Sequence, residues 1–184
     1  MINIREEILK AKENHRGYLH KAYWTDVPSW QDFLNCIFEE VKSEGNMTLS
    51  NGTSQTEKIV GNVVIANDVY FSPQITHMGY FSTMSSFLKD FENINGIGMG
   101  VSGPKVSVGP RIVHAHRDHW DAFSLQCQGT TIWTISYPED GYSEEFHMEP
   151  GDLLFFPQET MHELYCEEPR AGIIFNLPDV REKP

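Results

Sequence analysis

The chain has little with which to hold a nucleic acid. It carries 14 Lys and Arg against 26 Asp and Glu, a formal charge of -12, whereas phosphate binding needs clustered basic side chains. Cysteine is also scarce: Cys36, Cys127 and Cys166 are scattered and form no Cys-x-x-Cys pair. That odd set excludes a regular disulfide framework and fits a reducing compartment. No apolar run approaches membrane-spanning length. The opening Met1-Ile2-Asn3-Ile4-Arg5-Glu6-Glu7 lacks the apolar core of a secretory signal. A cytoplasmic protein is therefore expected, and the Asn-x-Thr sequons at Asn46 and Asn51 carry little weight. Neither an internal repeat nor a low-complexity tract is visible.

What the chain does have is the composition of a folded domain. Its 184 residues, 40% hydrophobic with four Trp, suffice for one domain with a core that needs no staples. Residues 1–42 read as largely helical. Ser29 suits an N-cap with Asp32 three residues on, and Trp30, Phe33, Leu34, Ile37, Phe38 and Val41 recur at helical spacing. Residues 43–57 read as a polar loop, followed by a short strand at 58–66 and a short helix near 84–91. From Gly96 onward the pattern becomes short apolar runs broken by Gly, Pro and Asp: 98–102, 105–108, 111–116, 122–128, 131–137, 144–148, 153–157, 162–166 and 171–177. Many short strands with regular turns indicate a sandwich or barrel. The expected division is a helical region over 1–57 packed on a β-barrel over 58–184.

Two stretches of that β-rich half carry chemistry. His116-Arg117-Asp118 is followed 44 residues later by His162, just after Glu149-Pro150-Gly151-Asp152-Leu153-Leu154-Phe155-Phe156-Pro157. Two histidines and a carboxylate are the facial triad of non-haem Fe(II) oxygenases, which leaves coordination positions open. Residues two apart on a strand share a face, so His116 and Asp118 can serve one metal from one strand. The Pro-Gly-Asp turn then starts the strand pair that returns His162.

Gly109 to His116 and Gly151 to His162 resemble the two cupin motifs. A cupin carries His-x-His, a Glu three or four residues later, and a Gly after six more. One register pairs His114 with His116 and uses Asp121 in place of the Glu. The other pairs His116 with Asp118 and leaves Ala122 at the Glu position. Counting back from Gly129 favours the second. The run His116 to Trp133 then resembles the JmjC-type hydroxylases: His-x-Asp, Phe123-x-x-Gln126-x-x-Gly129, then Trp133. Pro150-Gly151-Asp152-x-Leu154-x-x-Pro157, ending in His162, is similar to that family's second block. Gly172 to Leu177 looks like its last barrel strand, with Asn176 beside the metal. The resemblance covers about 70 residues at the C-terminal end, or about 80 with Gly96 to Val113, and is weak outside these motifs.

This resemblance implies a mainly β fold with N-terminal helices, a double-stranded β-helix of the cupin or jelly-roll type. It implies Fe(II) held by His116, Asp118 and His162, and 2-oxoglutarate as cosubstrate, with no catalytic residue beyond the triad. One departure stands out: the family places a lysine for the distal carboxylate 15 residues after the first histidine, where this chain has Thr131. A buried carboxylate needs a charge partner. Arg170, eight residues after His162, ranks first as its replacement and Arg111 second. Thr131 is a weaker hydrogen-bonding partner, and Lys105 ranks low as a loop residue. His114, sharing the inward parity of His116, is expected outside the ligand set or at the barrel mouth. Gln126 and Trp120 are candidates to line the site. Trp133 is expected in the core, like Cys127 and Cys166.

Three functions follow in order of preference. The first is an Fe(II)/2-oxoglutarate hydroxylase acting on a protein side chain or small molecule. The second is a metal-dependent cupin dioxygenase or isomerase without 2-oxoglutarate, favoured if His114 is a ligand or no basic residue lines the pocket. The third is a non-enzymatic small-molecule-binding cupin. Nucleic acid and membrane partners are not expected. Cupins often pair through barrel edges, which leaves a homodimer open.

Overall fold

The structure, a computed structural model, describes residues 1–42, 47–50, 56–58, 70–73, 82–107 and 110–177. Among the described residues three helices, α1 (Arg5–Glu13), α2 (Trp30–Lys42) and α3 (Ser82–Asn95), accompany twelve strands. In chain order these are β1 (Tyr18–His20), β2 (Met47–Ser50), β3 (Thr56–Lys58), β4 (Tyr70–Pro73), β5 (Gly100–Ser107) and β6 (Arg111–His116). There follow β7 (Ala122–Gln128), β8 (Thr131–Tyr137), β9 (Tyr142–Met148), β10 (Leu153–Phe156), β11 (Met161–Cys166) and β12 (Arg170–Asn176). They form an antiparallel sheet in the order β1-β10-β7-β12-β5-β4-β2-β3 and a smaller one in the order β6-β11-β8-β9.

Two apolar clusters explain this layering. One lies where the helices cover the large sheet: Ile4, Ile8, Phe33, Met84, Phe87 and Phe91 pack with Phe123, Leu125, Phe155 and Phe175. The other fills the space between the sheets, where Trp133, Ile135, Phe146, Leu154, Phe156 and Leu164 meet. A strand covered on both faces needs no polar alternation, and β7 is buried along almost its whole length. The β8 strand has one wet face and alternates buried with half-buried residues throughout.

The expected Ser29 cap is present. The Ser29 N–H donates to Asp32 Oδ2 at 2.8 Å and the Asp32 N–H to Ser29 Oγ at 3.3 Å, a reciprocal box. Phe33 is buried as expected, but Leu34 is 43% exposed, because the buried stripe runs through Phe33 and Cys36 instead. The side chains of Ile37, Phe38 and Val41 lie outside the described residues. The region read as helical also contains β1, which pairs Leu19 with Leu154 at the edge of the large sheet. The stretch read as a polar loop at 43–57 contains β2 and most of β3, paired with each other. The strand expected at 58–66 falls almost entirely outside the described residues. The two runs at 98–102 and 105–108 are one strand, β5, continuous through Gly103-Pro104.

Two turns position the site. At the β7–β8 turn Gly129 has φ +68°, and a Cβ there would stand 2.3 Å from the Pro169 carbonyl oxygen. Only glycine fits both demands. The Pro150-Gly151-Asp152 turn is held by the buried Asp152, whose Oδ1 accepts the Ala22 N–H and whose Oδ2 accepts the Glu149 N–H, each at 2.8 Å. Lys21 pairs with the same carboxylate. Asp152→Ala would strand two backbone donors, so a loss of about 2–3 kcal/mol is expected, read as a lower urea midpoint at constant m. Cys36, Cys127 and Cys166 are all buried, and burial pushes the Cys127 thiol up. No thiol is expected to react with Ellman's reagent until denaturant is added. No described helix is long and apolar enough to cross a membrane.

Candidate metal centre

The triad assembles where the small sheet is irregular. His116, the last residue of β6, lies opposite His162 near the start of β11, with ring centroids 4.4 Å apart. Asp118 follows in the loop beyond β6, not on the strand as the two-residue spacing suggested. Its carbonyl oxygen accepts the Glu159 N–H at 2.7 Å, which ties that loop to the β10–β11 turn. Asp118 Oδ2 stands 3.7 Å from His162 Nε2. The ligand atoms of His116, Asp118 and His162 all lie within 4.8 Å of one another, and the fold brings His162 to the other two from 44 residues further along the chain.

Both imidazoles are oriented the same way. His116 Nδ1 stands 2.9 Å from the His114 carbonyl oxygen, and His162 Nδ1 stands 2.9 Å from the Thr160 carbonyl oxygen. A carbonyl only accepts, so each Nδ1 carries the proton and each Nε2 presents a lone pair, the arrangement a metal-binding histidine needs. Burial, the largest influence, lowers the His162 pKa; the Thr160 contact opposes it, His116 adds to it, and Asp118 opposes it. His162 is thus held neutral and ready to ligate.

A β-bulge decides the fate of His114. Along β11 the register passes from His162 to Leu164, while along β6 it passes from His116 to Val113. The extra residue on β6 breaks the alternation, so Val113 and His116 both face the interior and His114 is exposed. The inward parity expected for His114 is corrected. Its contribution is its backbone carbonyl. Asp121, the carboxylate of the other register, is buried and engaged elsewhere: it pairs with Lys12, and its Oδ1 accepts the Gln158 N–H at 2.9 Å.

No protein-family model matches the sequence, and no curated protein matches it. Solved structures do. The ribosomal oxygenase YcfD of Escherichia coli aligns over 95% of this chain and 52% of its own, with a TM-score of 0.69 and 18% identity. The same enzyme in complex with cobalt and 2-oxoglutarate aligns over 95% and 52%, with a TM-score of 0.66 and 19% identity. A 2OG-Fe(II) oxygenase family oxidoreductase from Burkholderia pseudomallei covers 95% of this chain and 90% of its own, with a TM-score of 0.55 and 10% identity. The fold is a double-stranded β-helix, the cupin-type jelly roll. This chain spans about half the length of YcfD.

Inside this jelly roll the triad opens onto a cavity of about 210 Å³. Val113, Trp133, Phe156, Leu164 and Ile174 form its apolar walls, with Phe156 4.6 Å and Trp133 5.8 Å from the His162 ring. Trp133 is therefore both core and wall. Trp120, 41% exposed, lines the cavity from the loop after the triad. The remaining lining residues are Arg170 and Lys105. Arg170 is buried, and its Nε, like Trp133 Nε1, is a buried donor with no hydrogen-bond partner among the described residues. Arg170 thus brings a guanidinium to the cavity wall, where an anionic ligand would find a charge partner.

The other candidates are elsewhere. Gln126 is fully buried and donates to the Gln128 and Gly129 carbonyl oxygens at 2.8 and 3.1 Å. The Thr131 hydroxyl donates to Gln126 Oε1 at 3.2 Å. Neither lines the cavity; they brace the β7–β8 turn. Asn176 lines a neighbouring groove beside Trp120, Met99 and Leu177 instead of the cavity. The Arg111 backbone starts β6, and its side chain lies outside the described residues. Lys105, expected in a loop, is instead within strand β5 and lines the cavity.

Proposed function

We propose that this chain is an Fe(II)- and 2-oxoglutarate-dependent oxygenase that hydroxylates a protein side chain or a small molecule. The observation that carries it is one cavity joining a His-x-Asp…His cluster to a buried arginine with an unmet donor. Two imidazoles with Nε2 lone pairs and one carboxylate suit Fe(II) and leave positions open for a chelating cosubstrate. Bound together, Fe(II) and 2-oxoglutarate would supply an oxidation by O2 that releases succinate and CO2 and places one oxygen atom in the substrate.

The chain's own residues do the rest. His116, Asp118 and His162 hold the metal, with the His114 and Thr160 carbonyls fixing both rings. Arg170 offers the charge a dicarboxylate needs in a dry site. The aromatic and aliphatic walls exclude water, which strengthens each charged contact. A volume of about 210 Å³ is below the roughly 300–1,000 Å³ of pockets that swallow drug-sized ligands. The cavity therefore suits the cosubstrate and the tip of a target, and Trp120 stands at its mouth. The likeness to a ribosomal oxygenase supports a protein target. The reading without 2-oxoglutarate needed His114 as a ligand or a cavity without basic residues, and both features run the other way.

The test is anaerobic titration of the Fe(II)-loaded protein with 2-oxoglutarate, following the visible charge-transfer band of the chelate. A saturating band is expected. Metal bound without any band would reject 2-oxoglutarate dependence.

A further inference from the structure

Asp118 and His162 come from different segments, so their separation depends on what joins the loop after β6 to the turn between β10 and β11. Two consecutive N–H groups of that turn cross to the loop: Gln158 donates to Asp121 Oδ1 at 2.9 Å, and Glu159 to the Asp118 carbonyl oxygen at 2.7 Å. The next residue, Thr160, carries the carbonyl that orients His162. Glu159 has φ +59°, a backbone state that a non-glycine residue keeps only where its surroundings enforce it. The exposed side-chain pair of His119 and Glu159 adds a surface contact of small weight. The buried side chain in this joint is Asp121, 4% exposed.

Both oxygens of that carboxylate are engaged. Oδ2 pairs with Lys12 of α1, 109 residues back in the chain, which supplies the countercharge a buried carboxylate needs. The Asp121 carbonyl oxygen accepts the Leu177 N–H at 2.9 Å, just beyond β12. One residue thus ties α1, the end of β12 and the β10–β11 turn to the loop that carries Asp118 three positions earlier. At the opposite end of β10, Asp152 and Lys21 make a similar buried joint, but in a turn that carries no residue of the triad. Resting on the metal-binding part of the function above and not on 2-oxoglutarate, we propose that Asp121, countercharged by Lys12, is a positioning residue of the metal centre. It sets the separation of Asp118 and His162 by holding the triad loop against the β10–β11 turn, and it makes α1 part of the support of the site.

Mn(II) titration followed by electron paramagnetic resonance, with the visible d–d spectrum of the Co(II)-loaded protein beside it, tests this without turnover. Two double variants of equal net charge isolate the Gln158 contact. Lys12→Met with Asp121→Asn keeps an oxygen for the Gln158 N–H and should bind Mn(II) within about 2-fold of wild type. Lys12→Met with Asp121→Ala removes that oxygen. It should bind roughly 10- to 100-fold more weakly, the range for residues that orient metal ligands, and its Co(II) spectrum should change. Asp152→Ala, which loosens the other end of β10, should lower stability and leave both readings as in wild type. All titrations are made at a temperature where melting curves show each protein folded. Should the alanine variant not fold, Lys12→Met with Asp121→Ser, whose oxygen is too short to reach Gln158, takes its place with the same expectation. Wild-type affinity and spectrum in both double variants would overturn the positioning role. Equal losses in the two would also overturn it, because the effect would then lie in the lost ion pair, and a comparable loss in Asp152→Ala would reduce it to a general loosening of the fold. Wild-type protein that binds neither Mn(II) nor Co(II) would overturn the metal centre and the positioning role together.

Discussion

Asp118→Ala is expected to lower affinity for Mn(II), Co(II) or Fe(II) by more than roughly 100-fold, since even residues that only orient a ligand cost about 10- to 100-fold. Removing this carboxylate takes the only negative charge from the three-residue cluster and leaves two neutral imidazoles facing a dication. The metal-free fold should hardly notice. The Asp118 side chain is partly exposed, and the bond that pins its loop comes from its backbone carbonyl to Glu159, which alanine retains. Added metal should therefore stabilise the wild type by an amount set by [L]/Kd, about 2.7 kcal/mol at a hundredfold excess over Kd. The variant should melt with the metal-free wild type and gain nothing on addition of metal. His114→Ala is the matching control. Its side chain is exposed and its carbonyl oxygen carries the contact to His116, so metal affinity should change by no more than about 2-fold. A large loss in His114→Ala with little in Asp118→Ala would restore the other register.

The contrast between those two residues shows what the sequence could and could not reveal. The triad was legible because metal chemistry constrains residue type and order: few side chains bind Fe(II), and the strand-turn-strand unit ending in His162 has its own turn signature. Strands β7 to β12 were legible for a related reason, since each is a short apolar run bounded by a turn. The parity of His114 was not legible, because alternation holds only along a regular strand. The bulge opposite His162–Leu164 arises from pairing with a strand 45 residues on.

Lys105 was obscured for a different reason. Gly103-Pro104 reads as a turn, and proline is compatible with a strand only where its missing donor is tolerated; the long pairing with β12 keeps β5 continuous there. A lysine inside a barrel also breaks the pattern of apolar side chains inward, and such breaks are expected where a ligand binds. The N-terminal strand β1 has three residues and forms because β10 presents an edge, which is a non-local cause. The polar runs of β2 and β3 lie at the far edge of the large sheet, where charged and polar residues guard against unwanted pairing. Such a strand carries no apolar alternation to read.

Arg170→Met is expected to have the largest effect on the cosubstrate, with opposite consequences for binding and stability. Truncating one partner of a buried charge pair costs about 2–5 kcal/mol, or roughly 30-fold to several thousand-fold in affinity. The Fe(II)·2-oxoglutarate charge-transfer band should then require far more 2-oxoglutarate to appear, while metal affinity stays near wild type because Arg170 is outside the ligand cluster. The ligand-free protein, by contrast, should be no less stable than wild type. Arg170 is 2% exposed, its Nε has no hydrogen-bond partner among the described residues, and Lys105 shares its cavity. A thioether of similar length keeps much of the packing and removes the cost of a buried cation, and such replacements are commonly neutral or stabilising. Thermal melts with and without 2-oxoglutarate separate these terms: the variant should match or exceed the wild type alone and lose the ligand-induced rise. A variant that melts much lower without ligand would make Arg170 a structural cation of the β5–β12 pair. Tight 2-oxoglutarate binding in the variant would place the distal carboxylate elsewhere, with Lys105 as its remaining charge partner among the residues described as lining the cavity.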